Sequence, residues 1–335
     1  RYMYWLIMLI LVVYGGSIVD RDRRVSRIAR GIAFLSVWAA IITGIVVIDK
    51  IQLFFLLLAS LCCIAISYYS EGYLRILFGK ISSLQTVIDL ALALLIMFFT
   101  AKTLIELVVL WISVELLGFL LILLEKGFRN WSIATKYLIL CATTGDISLF
   151  TWLAVSSLHL GFEKGVFADF HTLSMSGIIA DPLTTFLLLI GFTTKLAQIP
   201  LHFWLVDTYT EAPSPVTALF SGLMSKMAVY GILRLYTTIA LNTAVFTWLL
   251  LIQGFITIVY GFLLSVAQVD VKKMMAYSSM GHYGVMVMIL SLLPIMPSLA
   301  FKIIILYMLY HGLVKTQVFL NIGTIELLTN TRDMY

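Results

Sequence analysis

Two lysines lie near the middle of long apolar segments, where a charged side chain is costly. Lys195 lies in FLLLIGFTTKLAQIPLHFW and Lys226 in VTALFSGLMSKMAVYGILRLY, while an acid, Glu115, lies in LVVLWISVELLGFLLIL. A charge at the centre of a bilayer costs at least about 3 kcal/mol, so it persists where it faces a protein interior and has a function. An acid and two lysines buried among apolar residues can accept and release protons, which indicates an ion relay.

Three further polar residues lie inside apolar segments and extend this candidate relay. Asp146 lies in CATTGDISLF, and His311 and Lys315 lie in LYHGLVKTQVFL. The four-residue spacing places His311 and Lys315 on one helix face, and a histidine titrates near neutral pH, which suits proton shuttling. Structural alternatives remain open: a static pair for Glu115, a packing hydrogen bond to a neighbouring Thr or Ser for Asp146, and a packing donor for His311.

The composition predicts an all-α polytopic membrane protein. Of the 335 residues, 61% are hydrophobic and 12% are charged, and the mean hydropathy is +1.05. Soluble domains carry about 25% charged residues, and a membrane β-barrel would show short alternating segments instead of solid apolar blocks. The net charge of +5 is modest and comes from scattered basic residues, so nucleic-acid binding has no support.

The chain shows no pattern for a metal or redox cofactor. Its three cysteines, Cys62, Cys63 and Cys141, lie in apolar segments without metal-ligand spacing, and no glycine-rich phosphate loop is present. We therefore expect no cofactor and no metal site in this chain, and any redox centres in partner subunits.

The apolar segments give about eleven candidate membrane spans, since one span needs about 20 apolar residues. Their approximate bounds are Tyr2–Val19, Ile28–Ile48, Leu53–Tyr69, Leu84–Thr100, Leu104–Leu124, Thr135–Leu158, Leu183–Leu205, Val216–Leu241, Phe246–Gln268, Met274–Leu293 and Leu299–Ile322.

Basic residues concentrate in the loops that follow odd-numbered spans. By the positive-inside rule these loops face the cytoplasm or its equivalent, and the N-terminus faces the other side. The longest opposite loop, residues 161–182, is predicted to be an ordered cap. Asp270, Lys272 and Lys273 are interpreted as a solvated turn. The basic residues that set the orientation are Arg21, Arg23, Arg24, Arg27, Arg30, Arg75, Lys80, Lys126, Arg129, Lys272 and Lys273.

The seventh span is predicted to be a broken helix. Pro200 follows Lys195 by five residues and removes a helical hydrogen bond, and LHFWLVDTYTEAPSPV then brings several polar residues and two more prolines. Irregular backbone at membrane depth occurs where it is buried in protein or lines water, and broken helices mark ion sites in many transporters. A plain proline kink is the alternative.

The segment KLAQIPLHFWLVDTYTEAPSPVTALFSGLMSKMAVYGILR, residues 195–234, closely resembles the antiporter-like membrane subunits of respiratory complex I (NADH dehydrogenase subunits 2, 4 and 5). It is equally similar to their relatives in Mrp cation/proton antiporters and membrane-bound hydrogenases. WISVELL, TKYLILCATTGDISLF, DVKKMMAYSSMGHYG and YHGLVKTQVFLNIGTI match in the same order. The resemblance runs from about Tyr69 to the C-terminus.

This resemblance implies a fold of about fourteen spans, with two inverted five-helix repeats that each contain one broken helix. Residues 1–80 would form the first three helices, residues 81–241 the first repeat, and residues 242–335 the start of the second. Glu115, Lys195 and Lys226 match the family's charged residues in spans five, seven and eight. His311 and Lys315 fall where span eleven carries its central polar residues.

The second repeat is expected to be incomplete, because the sequence ends at NTRDMY, just after span eleven. The family's second broken helix, span twelve, has no counterpart here. The chain would then be a fragment, or other residues or a second chain would complete it.

The resemblance implies a proton-translocating, antiporter-like subunit of a complex I-type redox-driven pump, an NADH:quinone oxidoreductase or hydrogenase without a redox site in this chain. Its partners would be other membrane subunits, a peripheral redox arm and the lipid of a prokaryotic cell membrane or mitochondrial inner membrane. Two alternatives stay open: a subunit of a secondary Na⁺(K⁺)/H⁺ antiporter of the Mrp type, and a structural membrane subunit that does not pump.

Overall fold

The computed structural model describes residues 2–123 and 128–334, without the side chains of residues 128 and 129, and this part of the chain is built from helices. The helices are α1 (Tyr2–Ser17), α2 (Arg23–Ile42), α3 (Lys50–Phe78), α4 (Ser82–Phe99), α5 (Leu104–Ile122), α6 (Phe128–Leu160), α7 (Phe162–Val166), α8 (Phe170–Met175), α9 (Pro182–Lys195), α10 (Leu205–Glu211), α11 (Ser214–Leu219), α12 (Ser225–Thr238), α13 (Thr243–Val266), α14 (Val271–Leu290) and α15 (Pro297–Thr329). A single π-helical turn, Phe220–Met224, joins α11 to α12 and is called the π turn below.

The helices confirm an all-α polytopic membrane protein. Eight helical segments within the described residues are long and apolar enough to cross a bilayer, counting Ser214–Thr238 as one. The other three predicted spans correspond to the 16-residue α1, to the broken pair α9 and α10, and to α14, which begins with two lysines.

The seventh span is broken, as its sequence predicts. The Asp181 carboxylate caps the start of α9 by accepting from the backbone N–H groups of Leu183 and Thr184, and α9 ends at Lys195. Ala197 has a φ of +48°, and the helix resumes at Leu205. The nine residues between the two helices form irregular backbone that is largely buried in protein, which is where such backbone is tolerated at membrane depth.

Glycines bring α13 and α14 into close contact. A Cβ at Gly261 would lie 2.5 Å from the backbone nitrogen of Gly281, and one at Gly254 would lie 2.8 Å from the carbonyl oxygen of Gly284. Small residues let membrane helices approach this closely and gain van der Waals contact. The pair positions Tyr283 of α14 against the core, where that side chain is fully buried.

The predicted cap in residues 161–182 is ordered and contains two short helices, α7 and α8. Asp169 caps α8 by accepting a 2.7 Å hydrogen bond from the backbone of Thr172. The backbone N–H of Leu104 donates to the carbonyl of Ala168, which fixes the cap to the start of α5.

Two interpretations of the loops are wrong. Arg30 is counted among the loop residues that set the orientation, although it lies inside the predicted span Ile28–Ile48, and the structure buries it fully within α2. Lys272 was assigned to a solvated turn, but its side chain is buried and donates to the carbonyl of Ala212. Lys126 and the side chain of Arg129 lie outside the described residues.

Candidate functional site

Glu115, Lys195 and Tyr137 form a buried cluster from three helices. The Nζ of Lys195, the last residue of α9, lies 3.2 Å from Oε1 of Glu115 on α5 and 3.1 Å from the Tyr137 hydroxyl on α6. Glu115 and Lys195 are 2% and 1% exposed. The structure therefore joins two predicted residues, 80 positions apart in sequence, in one desolvated ion pair.

The neighbours of this cluster hold its geometry. The Lys195 ammonium lies 5.8 Å from the ring centre of Trp111, so this ring adds to its stabilisation, while Tyr137 acts through its hydroxyl. Gly145 allows the close approach of α6 to α5, since a Cβ there would lie 3.1 Å from Nε1 of Trp111. The indole of Trp204 donates a 2.9 Å hydrogen bond to the carbonyl of Thr194, beside the end of α9.

Lys226 and His311 form a second buried cluster. The Nζ of Lys226 on α12 lies 2.7 Å from Nδ1 of His311 on α15, and both residues are at most 1% exposed. Lys226 also donates to the carbonyl of Ser221 at 2.6 Å and to the hydroxyl of Ser225 at 3.1 Å. Among the described residues, Nε2 of His311 has no hydrogen-bond partner.

The π turn supplies the carbonyl that binds Lys226. A π-helical turn departs from the regular hydrogen-bond ladder, and such turns are frequent at functional sites. The Ser221 carbonyl in this turn accepts from Lys226, from the Ser225 hydroxyl at 2.9 Å and from the Tyr283 hydroxyl at 3.3 Å. Three donors thus hold the Ser221 carbonyl in place. The negative end of this buried carbonyl dipole faces the Lys226 ammonium.

Lys315 lies one turn beyond His311 on α15 and is also buried. Its ammonium donates to the Ser278 hydroxyl at 2.9 Å and to the carbonyl of Met275 at 3.4 Å, both on α14. The predicted shared face of His311 and Lys315 is therefore present. The Lys315 ammonium bonds to α14, however, while the His311 imidazole bonds to Lys226 of α12 and packs 5.2 Å from the ring of Tyr283 on α14.

Asp146 is not joined to Lys195. It is partly buried on α6, and its Oδ1 has no hydrogen-bond partner among the described residues. The preceding residue, Gly145, is the one that packs against Glu115. The structure therefore places Asp146 next to the first cluster without a bond to it.

Aromatic rings separate the two clusters. Phe220 of the π turn packs 5.3 Å from the ring of Tyr137 and 6.2 Å from the ring of Tyr209. Beyond it, the Tyr209 hydroxyl lies 2.9 Å from that of Tyr283, which donates to the hydroxyl of Ser221 at 3.3 Å. Hydroxyls thus lead from α10 to the Lys226 cluster, while Phe220 lies between them and Tyr137.

Sequence reasoning missed several polar residues of this interior. Tyr137 binds Lys195 in the interior, and the neighbouring Lys136 forms a 2.6 Å ion pair with Asp207 of α10 that is partly exposed. Buried Arg30 lies 2.7 Å from Glu71 and 3.5 Å from Asp89. Glu71 on α3 and Asp89 on α4 are acids among largely apolar residues. Their presence there was the available signal for the Arg30 group.

Several known proteins are similar to this chain. The family described as NADH:quinone oxidoreductase/Mrp antiporter, TM matches residues 101–335. NAD(P)H-quinone oxidoreductase chain 4 3 of Picosynechococcus sp. is 34% identical over 231 residues, covering 67% of this chain and 40% of that protein. Hydrogenase-4 component B of Escherichia coli K12 is 27% identical over 301 residues, covering 85% of this chain and 44% of that protein. The chain thus spans less than half the length of either relative.

Two solved structures share the fold. A chain of the Mrp complex from Dietzia sp. superposes with a TM-score of 0.83 at 21% identity, covering 99% of this chain and 38% of that chain. A chain of the archaeal membrane-bound sulfane sulfur reductase superposes with a TM-score of 0.78 at 19% identity, covering 99% and 72%. The predicted resemblance is confirmed by the family match over residues 101–335. The chain belongs to the NADH:quinone oxidoreductase/Mrp antiporter family of multi-pass membrane proteins.

Proposed function

We propose that this chain is part of a proton-translocating, antiporter-like subunit of a complex I-type, redox-driven pump. The observation that carries the proposal is the desolvated Glu115–Lys195 ion pair at the end of a broken helix. Desolvation of a buried ion pair is costly, so the pair adds little to the stability of a protein that does not move. Breaking the pair leaves an uncompensated charge. The pair therefore has two states of very different proton affinity, closed and open.

The second cluster supplies the acceptor. When the Glu115–Lys195 pair opens, the Lys195 ammonium loses its counter-charge and can release a proton. The neutral imidazole of His311, or Lys226 as a neutral amine, then takes up the proton on a nitrogen lone pair, and Lys315 follows one turn along α15. Glu115, Lys195, Lys226, His311 and Lys315 thus form the proposed axis, with Asp146 as a group beside its start.

The proposal also includes partner subunits. The similar proteins are named as components of a hydrogenase and a quinone oxidoreductase, and both solved structures come from membrane complexes. We propose that other membrane subunits pack against this chain and that a peripheral redox arm, holding the redox centres, drives the opening of the Glu115–Lys195 pair.

The test is proton pumping by the whole complex, reconstituted in proteoliposomes, with Lys195→Ala in this subunit. We expect redox-driven pumping to fall to background while the complex still assembles. Lys302→Ala, which removes an exposed lysine of α15, is the matched control and should pump normally. Normal pumping by Lys195→Ala would reject the relay.

Two alternatives give different results. A secondary antiporter would move Na⁺ or K⁺ against H⁺ without any electron donor. A structural subunit would allow normal pumping by the Glu115→Gln, Lys195→Ala double variant. Glu115 forms an ion pair with Lys195 and does not share a site with other acids. A sodium site would be built from carboxylates, so this arrangement favours proton transfer.

A further inference from the structure

Arg234 is a buried cation on α12 that the proposed axis does not use. It follows Tyr230 by four residues and Lys226 by eight, so the three side chains lie on one side of the helix. All three residues are at most 4% exposed. The helical rise places Arg234 about 12 Å beyond Lys226 along the axis of α12. A further buried charge therefore lies beyond the Lys226–His311 cluster, near the end of α12.

The end of α12 that carries Arg234 lies on the side of the protein opposite the basic loops, called the outer side here. Its neighbours Asp49, before α3, and Phe170, in the cap, both lie in loops that follow even-numbered predicted spans, and the positive-inside rule assigns these loops to the outer side. Both residues line an open cavity of about 200 Å³. The cavity therefore brings the outer medium close to Arg234.

The Arg234 guanidinium is held beneath this cavity by an acid and two rings. Its Nη2 lies 2.6 Å from Oδ2 of Asp49, and its central carbon lies 4.7 Å from the ring centre of Phe170 and 5.0 Å from that of Tyr230. The Asp49 side chain is 50% exposed, whereas that of Arg234 is 4% exposed. The ion pair thus has a fixed orientation, with its acid toward the outer medium and its cation toward the interior.

Aromatic rings pack around Tyr230 between the two cations of α12. The centre of the Tyr230 ring lies 5.2 Å from that of Phe55, 5.5 Å from that of Phe98 and 5.6 Å from that of Phe99. These phenylalanines of α3 and α4 are fully buried. The rings exclude water, but the Tyr230 hydroxyl is a polar group among them that can both accept and donate a proton. The rings alone therefore do not close this end of the helix to protons.

We propose that Arg234 is an electrostatic barrier that stops protons and other cations from passing between the outer side and the Lys226–His311 cluster along α12. This role rests on the proposed function, since a pump keeps its gradient only where its proton sites are closed to passive flow. A guanidinium stays protonated in proteins, and a fixed positive charge repels a hydrated proton, as arginines do in selective pores. Asp49 orients the guanidinium, while water at the outer surface screens the charge of the acid.

The first test measures passive proton leak in proteoliposomes that contain the assembled complex, under an imposed membrane potential and without an electron donor. We expect Arg234→Met to raise the leak at least about fivefold, because its side chain carries no charge. Arg234→Gln is a second uncharged variant with the same expected leak, should the first fail to assemble. Arg234→Lys keeps a cation and should leak within about twofold of the unmodified complex. Unchanged leak in the uncharged variants, or an equally large leak in Arg234→Lys, would overturn the barrier.

Asp49→Asn separates a barrier from an ion pair with only a structural role. It breaks the same 2.6 Å contact as Arg234→Met but leaves the cation in place, and asparagine can still cap the start of α3. A barrier predicts a leak within about twofold of the unmodified complex, because the guanidinium is still present. A structural pair predicts equal leaks from Asp49→Asn and Arg234→Met, and that result would overturn the proposed role of Arg234.

A second substitution shows where the leaking protons pass. Lys226→Met, added to Arg234→Met, removes the amine of the Lys226–His311 cluster and should return the leak to within about twofold of the unmodified complex. A leak that persists in this double variant would pass elsewhere and would overturn the barrier. None of these leak measurements requires redox-driven pumping, so a failure of the proposed function would appear separately, as normal pumping by Lys195→Ala.

Discussion

The Nζ of Lys226 and Nδ1 of His311 lie 2.7 Å apart, although the residues are 85 positions apart in sequence. Both groups are buried, and a hydrogen bond of this length holds one proton between an amine and an imidazole, whichever of them carries it. The contact also fixes α15 against α12, because it joins the middle of α15 to the first turn of α12.

His311→Ala should lower redox-driven pumping at least about tenfold in the reconstituted complex. The variant leaves the Lys226 ammonium bound to backbone and Ser225 without a base that can take its proton onward. His159→Ala, which removes an exposed histidine at the end of α6, should pump normally. Equal pumping by both variants would remove His311 from the proposed axis.

Gly118→Ala should impair the first cluster without touching a charged group. A Cβ at Gly118 would lie 2.7 Å from the hydroxyl of Tyr137, the group that accepts from Lys195. Displacement of this hydroxyl weakens the positioning of the ammonium, so pumping should fall, and we expect the same fall in Tyr137→Phe. Gly72→Ala in α3, where a Cβ meets nothing within 4 Å, is the control. Normal rates in Gly118→Ala would show that the Tyr137 hydroxyl is dispensable.

Gly222→Ala should destabilise the subunit by about 1–3 kcal/mol, the usual cost of overpacking. The new methyl group would overlap Oγ1 of Thr316, while the Thr316 Cβ is 3.4 Å away. Thr316→Ala removes the overlapping atom, so the double variant should recover most of the lost stability. Thermal unfolding of the single and double variants in detergent measures this coupling, and purely additive effects would contradict the predicted contact.

Arg30→Met should destabilise the packing of α2 on α3 and α4. It leaves the buried carboxylate of Asp89 without a cation, while Glu71 keeps its 3.0 Å ion pair with Arg27, and breaking a buried pair costs about 3–5 kcal/mol. The yield of assembled complex should fall severalfold. Arg24→Met, an exposed position on the same helix, should assemble normally. An equal yield from both variants would show that the Arg30 group is not needed for packing.

Charge in an apolar segment is a strong signal in a sequence, which is why the fold class, Glu115, Lys195 and Lys226 could be found before the structure. The same signal failed for Arg30, because it follows the run DRDRR closely and looks like part of the same basic loop. The signal also failed for Lys272. A lysine that follows Asp270 in the sequence looks the same whether its side chain is buried or solvated. In both cases tertiary packing decides burial.

Partners are harder to predict than burial. Tyr137 and Ser221 are unremarkable residues within helical segments, and their contacts with Lys195 and Lys226 depend on how distant helices pack. The π turn leaves no local sequence pattern that separates it from an α-helix. The broken seventh span was predictable, because proline acts on the local backbone.

The end of α9 at Lys195 gives that ammonium a second source of negative potential. The last carbonyls of a helix carry the negative end of its dipole, about half an elementary charge, and Lys195 lies in the last turn. This potential is permanent, whereas the charge of Glu115 is lost on protonation. When Glu115 takes up a proton, Lys195 therefore faces a weaker but constant field instead of none. The helix end acts as a bias on the equilibrium between the two pairing states.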